Sequence, residues 1–177
     1  MTYKYSQSCI PTFRTGSAAH LSLRALEEVA AGESILTKVV KDRKPYLNFT
    51  GTLVNLKEYH KNDPKDEHIA ILMTGLDVVA FTEENKWFTG VAGAAFVGGL
   101  CTPDNNYAVV EDKAPFYTGV YAVAHELAHL LGAPHDETGE AKDCKYKDGH
   151  IMGANEKGPN HYTFSACSEQ IMMEHLL

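Results

Sequence analysis

The sequence predicts one layered α/β domain, and three observations support this fold class. The chain has 177 residues, 44% of them hydrophobic, which suits one packed domain and is too short for two comfortable ones. Segments typical of strands and segments typical of helices alternate along it, with no internal repeat or low-complexity tract. No run of about 18 apolar residues occurs, so we expect a single domain over residues 1–177 without a membrane span.

Apolar residues recur at helical spacing in several parts of the chain. Helices are predicted over four segments: Ser17–Ala31, Thr52–Asn62, 116–132 and 165–177. Gly32 stops the first of these helices, and Ser165 or Ser168 supplies the cap of the last. The buried stripe of the third helix is predicted to contain Val120, Ala124, Leu127 and Leu131.

Strand-like segments are apolar or β-branched and are bounded by charged residues or glycine. The predicted strands are Ser34–Val40, His68–Gly75 and Tyr107–Asp112. The second of them is a short apolar run, which suits a strand buried on both faces. A further segment, Val91–Cys101, is rich in glycine and alanine, which allow another backbone to approach closely. Two interpretations fit this segment equally well: an edge strand that accepts an extended peptide, or a loop with a poor strand inside it.

The balance of charge disfavours a nucleic-acid partner. The net charge is −7, from 16 basic and 23 acidic residues, and the basic residues form no group larger than Lys41–Lys44. The start of the chain, residues 1–13, contains no apolar stretch of the kind found in signal peptides. The acidic balance predicts solubility and narrows the function no further.

Four cysteines lie far apart, at Cys9, Cys101, Cys144 and Cys167. Because no C-x-x-C pair occurs, a cysteine-based zinc or redox site is disfavoured. Two disulfides in an oxidising compartment fit the even count, and four buried thiols in a cytosolic protein are the alternative. The N-glycosylation pattern at Asn48–Thr50 slightly favours secretion.

The stretch HELAHLLGAPHD carries a metal-binding pattern. His125 and His129 are one helical turn apart, so both imidazoles leave the same helix face and can meet one ion. Glu126 lies about 100° further round the axis, where it can reach a water bound to that ion. Gly132 can end the helix in a left-handed conformation, and the turn after it carries His135 back as a third ligand. Three imidazoles leave one tetrahedral position of a zinc ion open, which is the arrangement of a catalytic site.

The same stretch resembles the metzincin signature H-E-x-x-H-x-x-G-x-x-H. Asp136, directly after the third histidine, resembles the adamalysin or reprolysin branch. That branch includes the snake-venom metalloproteases, the ADAM proteases and their secreted salivary relatives in blood-feeding arthropods. Met152, within DGHIMGAN, resembles the Met-turn that lies beneath the zinc in metzincins. The resemblance extends roughly over residues 66–172 and is faint before them.

The resemblance implies a metzincin-like catalytic domain built on a mixed, mostly parallel sheet with helices. Its zinc cleft would lie between a larger N-terminal subdomain, about residues 1–132, and a smaller C-terminal one, about residues 133–177. Cys144 and Cys167 match family disulfide positions and are expected to pair. Cys101 matches a position whose usual partner is absent, so Cys9 is its predicted partner. The resemblance also leaves room for a structural calcium ion, for which no ligand set stands out.

The resemblance further implies roles for individual residues. The extended substrate would lie along an edge strand formed by Ala92, Gly93, Ala94, Ala95, Phe96, Val97 and Gly98. Residues 154–162 would shape the pocket for the side chain after the scissile bond. Met152 would pack under the zinc ligands, and Asp136 would organise the turn by hydrogen bonds. The remaining histidines are expected at the surface or in the core, with His150 nearest to the zinc.

We therefore predict a secreted, monomeric, zinc-dependent endopeptidase that hydrolyses peptide bonds of extracellular proteins or peptides. Zinc held by His125, His129 and His135 would activate water, and Glu126 would act as the general base. The main rival hypothesis is a metzincin-like binding module that holds zinc and has weak or no proteolytic activity. A zinc deacetylase or amidase and a cytosolic processing peptidase are further rivals. An exposed charged helix end is disfavoured, because it explains none of the spacings.

Overall fold

The computed structural model describes residues 35–60, 69–81, 86–102, 105–113, 115–153 and 158–176. The predicted first helix, Ser17–Ala31, and Cys9 lie outside these residues. Within them the chain forms seven strands and three α-helices, with short 3-10 turns between some of them. No helix in this described part of the chain is long and apolar enough to cross a membrane.

The strands and helices alternate less than the sequence predicts, because five strands in a row separate the first two described α-helices and the last two α-helices have no strand between them. In chain order they are β1 (Lys38–Lys41), β2 (Lys44–Asn48), α1 (Phe49–His60), β3 (Ala70–Thr74), β4 (Asp77–Phe81), β5 (Trp87–Val91), β6 (Gly93–Ala95), β7 (Tyr107–Glu111), α2 (Gly119–Leu130) and α3 (Ala166–Leu176). The predicted helix Thr52–Asn62 corresponds to α1. The predicted strands His68–Gly75 and Tyr107–Asp112 correspond to β3 and β7.

β1 and β2 form a hairpin, whereas the sequence predicts only one strand there, Ser34–Val40. The two strands pair antiparallel along the whole of β1. Asp42 and Arg43 connect them with φ angles of 49° and 65°. Two positive φ angles in a row are typical of the type I′ turn, whose twist matches that of a hairpin. Aspartate is common in such turns but arginine is not, so the pair Asp42–Arg43 lacks the glycine that would signal a hairpin in the sequence.

The seven strands form two sheets, with the orders β1-β2-β4-β5 and β3-β7-β6. Parallel pairing joins β2 to β4 and β3 to β7, and the other three pairings are antiparallel. The predicted mixed α/β class is confirmed. Among the described strands, however, the expectation of a mostly parallel arrangement is wrong. The reason is that neighbouring strands along the chain, β1 with β2 and β4 with β5, pair directly, and such local connections give antiparallel pairs.

β7 is the most deeply buried strand, and residues 107–110 are at most 3% exposed. Two of its side chains, Tyr107 and Val109, join a core cluster with Leu53 and Leu56 of α1. Helix α2 also contacts β7, so both helices pack on this central strand. β3 is less buried than predicted, since Met73 is 50% exposed. The expectation of burial on both faces is therefore wrong for β3, which lies at one end of its sheet, whereas β7 lies in the middle.

α2 buries a different face from the predicted stripe. Val120 is 71% exposed, and the other three residues of that stripe are only partly buried. The buried residues of α2 are Gly119, Ala122, Glu126, Ala128, His129 and Leu130. Small side chains let the helix approach its neighbours closely, and a Cβ on Gly119 would lie 2.8 Å from the Cβ of Asp112. A search for large apolar residues selects the wrong face because, apart from Leu130, the buried residues of α2 are small or polar.

α3 is joined to the segment after α2 by a disulfide between Cys144 and Cys167, the pair that the resemblance implies. Ser165 is the N-cap of this helix, because its Oγ accepts a hydrogen bond of 3.2 Å from the backbone N–H of Ser168. The structure therefore selects Ser165 from the two predicted caps. The pairing of Cys9 with Cys101 stays a prediction, because Cys9 and the side chain of Cys101 lie outside the described part of the chain.

Candidate metal centre

Three histidine side chains converge at the C-terminal end of α2. The ligand atoms of His125, His129 and His135 all lie within 4.8 Å of one another. The first two histidines come from successive turns of α2. Gly132, with a φ of +97°, turns the chain after the helix and brings the third histidine back to them. The three ligands predicted from spacing are thus brought together in one cluster.

Hydrogen bonds determine which nitrogen of two histidines is available to a metal. Nδ1 of His125 donates to the carbonyl oxygen of Ile151 at 2.8 Å, and Nδ1 of His129 donates to that of Ala133 at 2.8 Å. A carbonyl oxygen only accepts, so each Nδ1 carries the proton and each Nε2 presents its lone pair. Metal-binding histidines ordinarily make such a second contact, which orients the ring.

The spacing and charge state of the rings fit a zinc ion. Nε2 of His125 and Nε2 of His135 lie 3.1 Å apart. Two nitrogens bound to one tetrahedral zinc at about 2.0–2.1 Å would be about 3.3 Å apart. Burial, with a smaller contribution from the neighbouring His125, lowers the pKa of His129 to about 4, and burial lowers the pKa of His135. Both rings are therefore neutral at pH 7, which is the form that binds a metal.

Glu126 lies on the buried face of α2 and is 4% exposed. Its Oε2 has no hydrogen-bond partner in the described part of the chain. Burial raises the pKa of this carboxyl to about 8, and a cation bound by the neighbouring histidines would favour its charged form. The side chain also packs against the backbone of β6 at Gly93. A buried carboxyl beside the histidines, with one oxygen unused, can accept and return a proton.

Met152 is fully buried and packs with Ala128 of α2 in a second core cluster. The residue before it contributes its main chain to the site. The carbonyl oxygen of Ile151 accepts one hydrogen bond from His125 and another, of 2.9 Å, from the hydroxyl of Tyr121. The turn at Met152 is therefore held against the helix that carries the first two histidines.

Asp136 is fully buried and connects three segments. Its backbone N–H donates to the carbonyl oxygen of Met152 at 3.0 Å. Its Oδ1 accepts hydrogen bonds from the hydroxyls of Ser165 at 2.7 Å and Ser168 at 3.4 Å. Asp136 thus ties the turn that carries His135 to the turn at Met152 and to the first turn of α3.

The glycine- and alanine-rich segment contains a three-residue strand at the edge of its sheet, with turns after it, and its acceptance of an extended peptide stays a prediction. Among the described strands, β6 pairs with β7 alone. The carbonyl oxygen of Ala92 accepts a hydrogen bond of 2.7 Å from the backbone N–H of Glu111. Because the pairs of an antiparallel ladder alternate, the N–H and C=O groups of Gly93 and Ala95 then point away from β7. They face the open edge of the sheet.

The C-terminal part of this segment, after Ala95, no longer belongs to the strand. Phe96 and Val97 are 38% and 57% exposed. Gly98 has a φ of +71°, and its backbone N–H donates to the carbonyl oxygen of His129 at 2.8 Å. The seven residues predicted to bind substrate therefore divide into a short strand and an exposed turn that is bonded to the end of α2.

Sequence reasoning missed the aromatic contact behind His125. The rings of Tyr121 and His161 stack with their centroids 4.5 Å apart and their planes 13° from parallel. Tyr121 lies four residues before His125, so helical spacing could have identified it, whereas nothing in the sequence points to His161. His150 donates or accepts a hydrogen bond of 3.1 Å with the Thr163 hydroxyl and is not part of the histidine cluster.

His175, whose position the sequence does not predict, packs against the turn that leads to His135. A Cβ on Gly132 would lie 3.1 Å from Cγ of His175, and one on Gly98 would lie 3.3 Å from its Cε1. The imidazole of His175, on α3, therefore fills the space beside two glycines of positive φ. The sequence offers no spacing from which this contact could be predicted.

A helix that presents His-Glu-x-x-His, a glycine turn to a third histidine and a buried methionine turn behind them define the metzincin class of zinc metalloproteases. The sequence profile of the family described as "Reprolysin (M12B) family zinc metalloprotease" matches residues 46–177. The chain belongs to this family, which confirms the predicted reprolysin branch. Zinc is the metal of the family, and His125, His129 and His135 are the group that can hold it.

Individual relatives include proteins from scorpions and from an insect. The chain is similar to "Venom metalloproteinase antarease-like TtrivMP_A" of Tityus trivittatus, with 34% identity over 123 residues that cover 64% of this chain and 31% of the relative. It is 34% identical to "A disintegrin and metalloproteinase with thrombospondin motifs like" of Bombyx mori over 117 residues, 58% of this chain and 17% of that protein. "Venom metalloproteinase antarease-like TfasMP_A" of Tityus fasciolatus is 26% identical over 186 residues, with 97% and 78% coverage. The chain spans about a third or less of the first two relatives.

Proposed function

We propose that the chain is a zinc-dependent endopeptidase that cleaves extracellular proteins or peptides, with Glu126 as the general base. One observation carries the proposal: His125, His129 and His135 converge beside a buried carboxyl that has an unused oxygen. Membership of a zinc metalloprotease family supports the same reaction.

The residues of the site divide the chemistry between them. His125 and His129, each through Nε2, and His135 would hold the zinc ion. A zinc ion held by these residues would supply Lewis-acid chemistry, because it would lower the pKa of a water molecule to about 7 and polarise the carbonyl of the scissile bond. Glu126 would take a proton on a carboxylate oxygen from the water that attacks the scissile carbonyl carbon, and would deliver it to the amine that leaves when the C–N bond breaks. Its burial supports this assignment, because the carboxyl can hold a proton near neutral pH.

The substrate would bind as an extended chain along β6. Gly93 and Ala95 direct their N–H and C=O groups to the open edge, and these are the groups that pair with an added strand. Phe96 and Val97, both exposed, would contact substrate side chains at the end of the strand. Residues 154–162, of which 154–157 lie outside the described part of the chain, would shape the pocket for the side chain that follows the scissile bond.

We further propose one catalytic domain over residues 1–177, with the zinc cleft between a larger part up to about residue 132 and a smaller part from about residue 133. The first two ligands belong to the larger part and His135 to the smaller. The disulfide between Cys144 and Cys167 supports an oxidising, extracellular location, as do the venom names of two relatives. We expect the chain to act as a monomer on protein or peptide substrates.

The experiment is digestion of a denatured protein mixture, with the new termini read by mass spectrometry. It is run with zinc, with a chelator, with Glu126→Ala, and with the exposed-residue control Glu169→Ala. We expect chelator-sensitive cuts that fall at least about 100-fold in Glu126→Ala and persist in the control. A folded, zinc-loaded chain that makes no cuts would support the binding module instead. Cuts that survive chelation would contradict the zinc mechanism.

A further inference from the structure

We propose that Gly93 is a positioning residue for Glu126, so that the strand which binds the substrate also holds the catalytic base in place. The inference rests on the proposed function for its catalytic consequence. The contact itself is independent of that function. Three steps support it: the space that the glycine leaves, the direction of its backbone groups, and the rigidity of the strand around it.

The side-chain space of Gly93 is occupied by Glu126. A Cβ built on Gly93 would lie 2.7 Å from Oε1, 2.8 Å from Cγ and 2.9 Å from Cδ of that glutamate. Real Cβ atoms essentially never come within 3.0 Å of another heavy atom. Gly93 is not among the glycines with a positive φ, so its backbone conformation does not require glycine. The requirement comes from the carboxyl group that lies against it.

The N–H and C=O groups of Gly93 point to the open edge of the sheet. The direction that a side chain at Gly93 would take points to α2. The hydrogen bond between Ala92 and Glu111 sets the alternation of the ladder, which turns the N–H and C=O of Gly93 outward. Its missing side chain projects instead toward α2, which contacts β6. One residue therefore touches the base on one side and offers main-chain hydrogen bonds to an extended peptide on the other.

In the contact between Gly93 and Glu126, the strand β6 is more rigid than the glutamate side chain. β6 is paired with β7 along all three of its residues, and β7 is the buried strand of the sheet. The Glu126 carboxyl ends a flexible side chain, and its Oε2 has no hydrogen-bond partner among the described residues. An added methyl group at Gly93 would therefore displace the carboxyl rather than the strand. The expected consequence is a misplaced base in a folded, zinc-binding chain.

The first test is a double-mutant cycle on thermal stability, which needs no enzymatic activity. Gly93→Ala is measured in the natural chain and in Glu126→Ala, where Cγ, Cδ and both carboxylate oxygens are gone. In the natural chain we expect Gly93→Ala to lower the Tm by about 2–10 °C. In the Glu126→Ala chain we expect the same substitution to change the Tm by less than about 1 °C. Gly75→Ala is the matched control, because its Cβ would meet nothing closer than 3.9 Å.

The second test measures zinc content and kinetics of Gly93→Ala on a peptide found by the digestion experiment. We expect one zinc per chain, an unchanged KM within about threefold, and a kcat lowered about 10- to 100-fold, since a displacement of about 1 Å can cost that much. Gly75→Ala should retain the natural kcat. A purely structural defect would lower zinc content or the folded fraction instead of kcat alone.

The combined outcomes decide the proposal. A Tm loss that disappears in Glu126→Ala, with a lowered kcat, supports it. A lowered kcat without any Tm loss overturns it, because the stability cycle is then additive and shows no contact between Gly93 and Glu126. Equal Tm losses in both backgrounds, or an unchanged kcat, would overturn it. If the natural chain cuts nothing, the proposed function fails, and an additive stability cycle would separately overturn the contact.

Discussion

The carbonyl oxygen of Ile151 is the smallest unit on which the site depends. It accepts hydrogen bonds from Nδ1 of His125 and from the hydroxyl of Tyr121. These two residues lie on successive turns of α2. The first bond orients a metal-binding imidazole, and the second holds the carbonyl in place for it. Groups behind metal ligands typically change metal affinity by about 10- to 100-fold when they are removed, and we expect Tyr121, one bond further away, to act more weakly.

Tyr121→Phe tests this arrangement. The substitution removes the hydroxyl and keeps the ring that stacks on His161. A hydrogen bond contributes about 1 kcal/mol, so we expect the zinc dissociation constant to rise about 3- to 10-fold, measured by competition with a fluorescent chelator. Tyr117→Phe, at a residue that is 75% exposed, is the control. Equal affinities for both variants would mean that the Ile151 carbonyl is held without Tyr121.

Asp136 offers a second prediction for a single residue. Asp136→Ala removes the acceptor of two serine hydroxyls that are themselves buried, Ser165 and Ser168. We expect the free energy of unfolding to fall by roughly 2–4 kcal/mol in denaturant titration of the zinc-loaded chain. Asp136→Asn keeps an oxygen acceptor and should lose less than half as much. The control is Asp143→Ala, at an exposed carboxylate, and a loss no larger than in this control would refute the role.

Helices α2 and α3 meet where glycines leave room for an imidazole. His175 of α3 packs beside Gly132 at the end of α2 and beside Gly98 after β6. The glycine that turns the chain toward the third histidine thus serves a second purpose, because its missing side chain admits the neighbouring helix. The position of the third ligand is coupled in this way to the packing of α3.

The substitution Gly132→Ala tests both roles of this glycine: the positive φ that turns the chain, and the space that it leaves for His175. Gly139 is the matched control, because it also has a positive φ, +49°, but its Cβ would meet nothing closer than 3.8 Å. Backbone strain costs about 1–2 kcal/mol in the left-handed region near the φ of Gly139 and more at the φ of Gly132, which lies outside that region, and overpacking adds about 1–3 kcal/mol. We expect Gly132→Ala to lose more unfolding free energy than Gly139→Ala in denaturant titration. His175→Ala should narrow the difference, and a difference that stays the same would show that the imidazole does not cause it.

At the level of strands and helices, the sequence predicts those elements in which the apolar residues are also the buried ones. Leu53 and Leu56 recur at helical spacing in α1 and are buried, and β7 is a continuous apolar run. The hairpin β1–β2 is not predicted from the sequence, because Arg43 adopts a positive φ where glycine would be the usual signal. The buried face of α2 could not be predicted either, since it turns Glu126 inward and leaves Val120 exposed.

For the whole molecule, the ligand set could be predicted because its geometry is local. Two histidines on successive turns and a third after a glycine turn need no knowledge of the rest of the fold. The supporting contacts join distant segments: Gly93 with Glu126, and His161 with Tyr121. Such contacts depend on sheet order and helix packing, which no spacing along the chain encodes.

Zinc removal is the prediction that involves the whole molecule. A metal that binds only the folded chain stabilises it by about 2.7 kcal/mol at a concentration 100 times its dissociation constant. We therefore expect a chelator to lower the Tm by about 5–10 °C for a chain of this size. His135→Ala is the control, because a chain that lacks the third ligand should respond less to the chelator. Identical Tm values for the natural chain with and without chelator would contradict a zinc site at these histidines.

The shortness of β6 has a consequence for self-association. An exposed sheet edge is a template on which identical chains can pair and aggregate, and natural proteins often limit this hazard by keeping edge strands short. β6 has three residues, and two of them, Gly93 and Ala95, direct their polar groups to the open side. Two copies that met edge to edge would gain few hydrogen bonds against an association cost of about 4–15 kcal/mol. The edge is therefore a poor surface for fibril growth, and a peptide would need additional contacts at the metal centre to remain bound there.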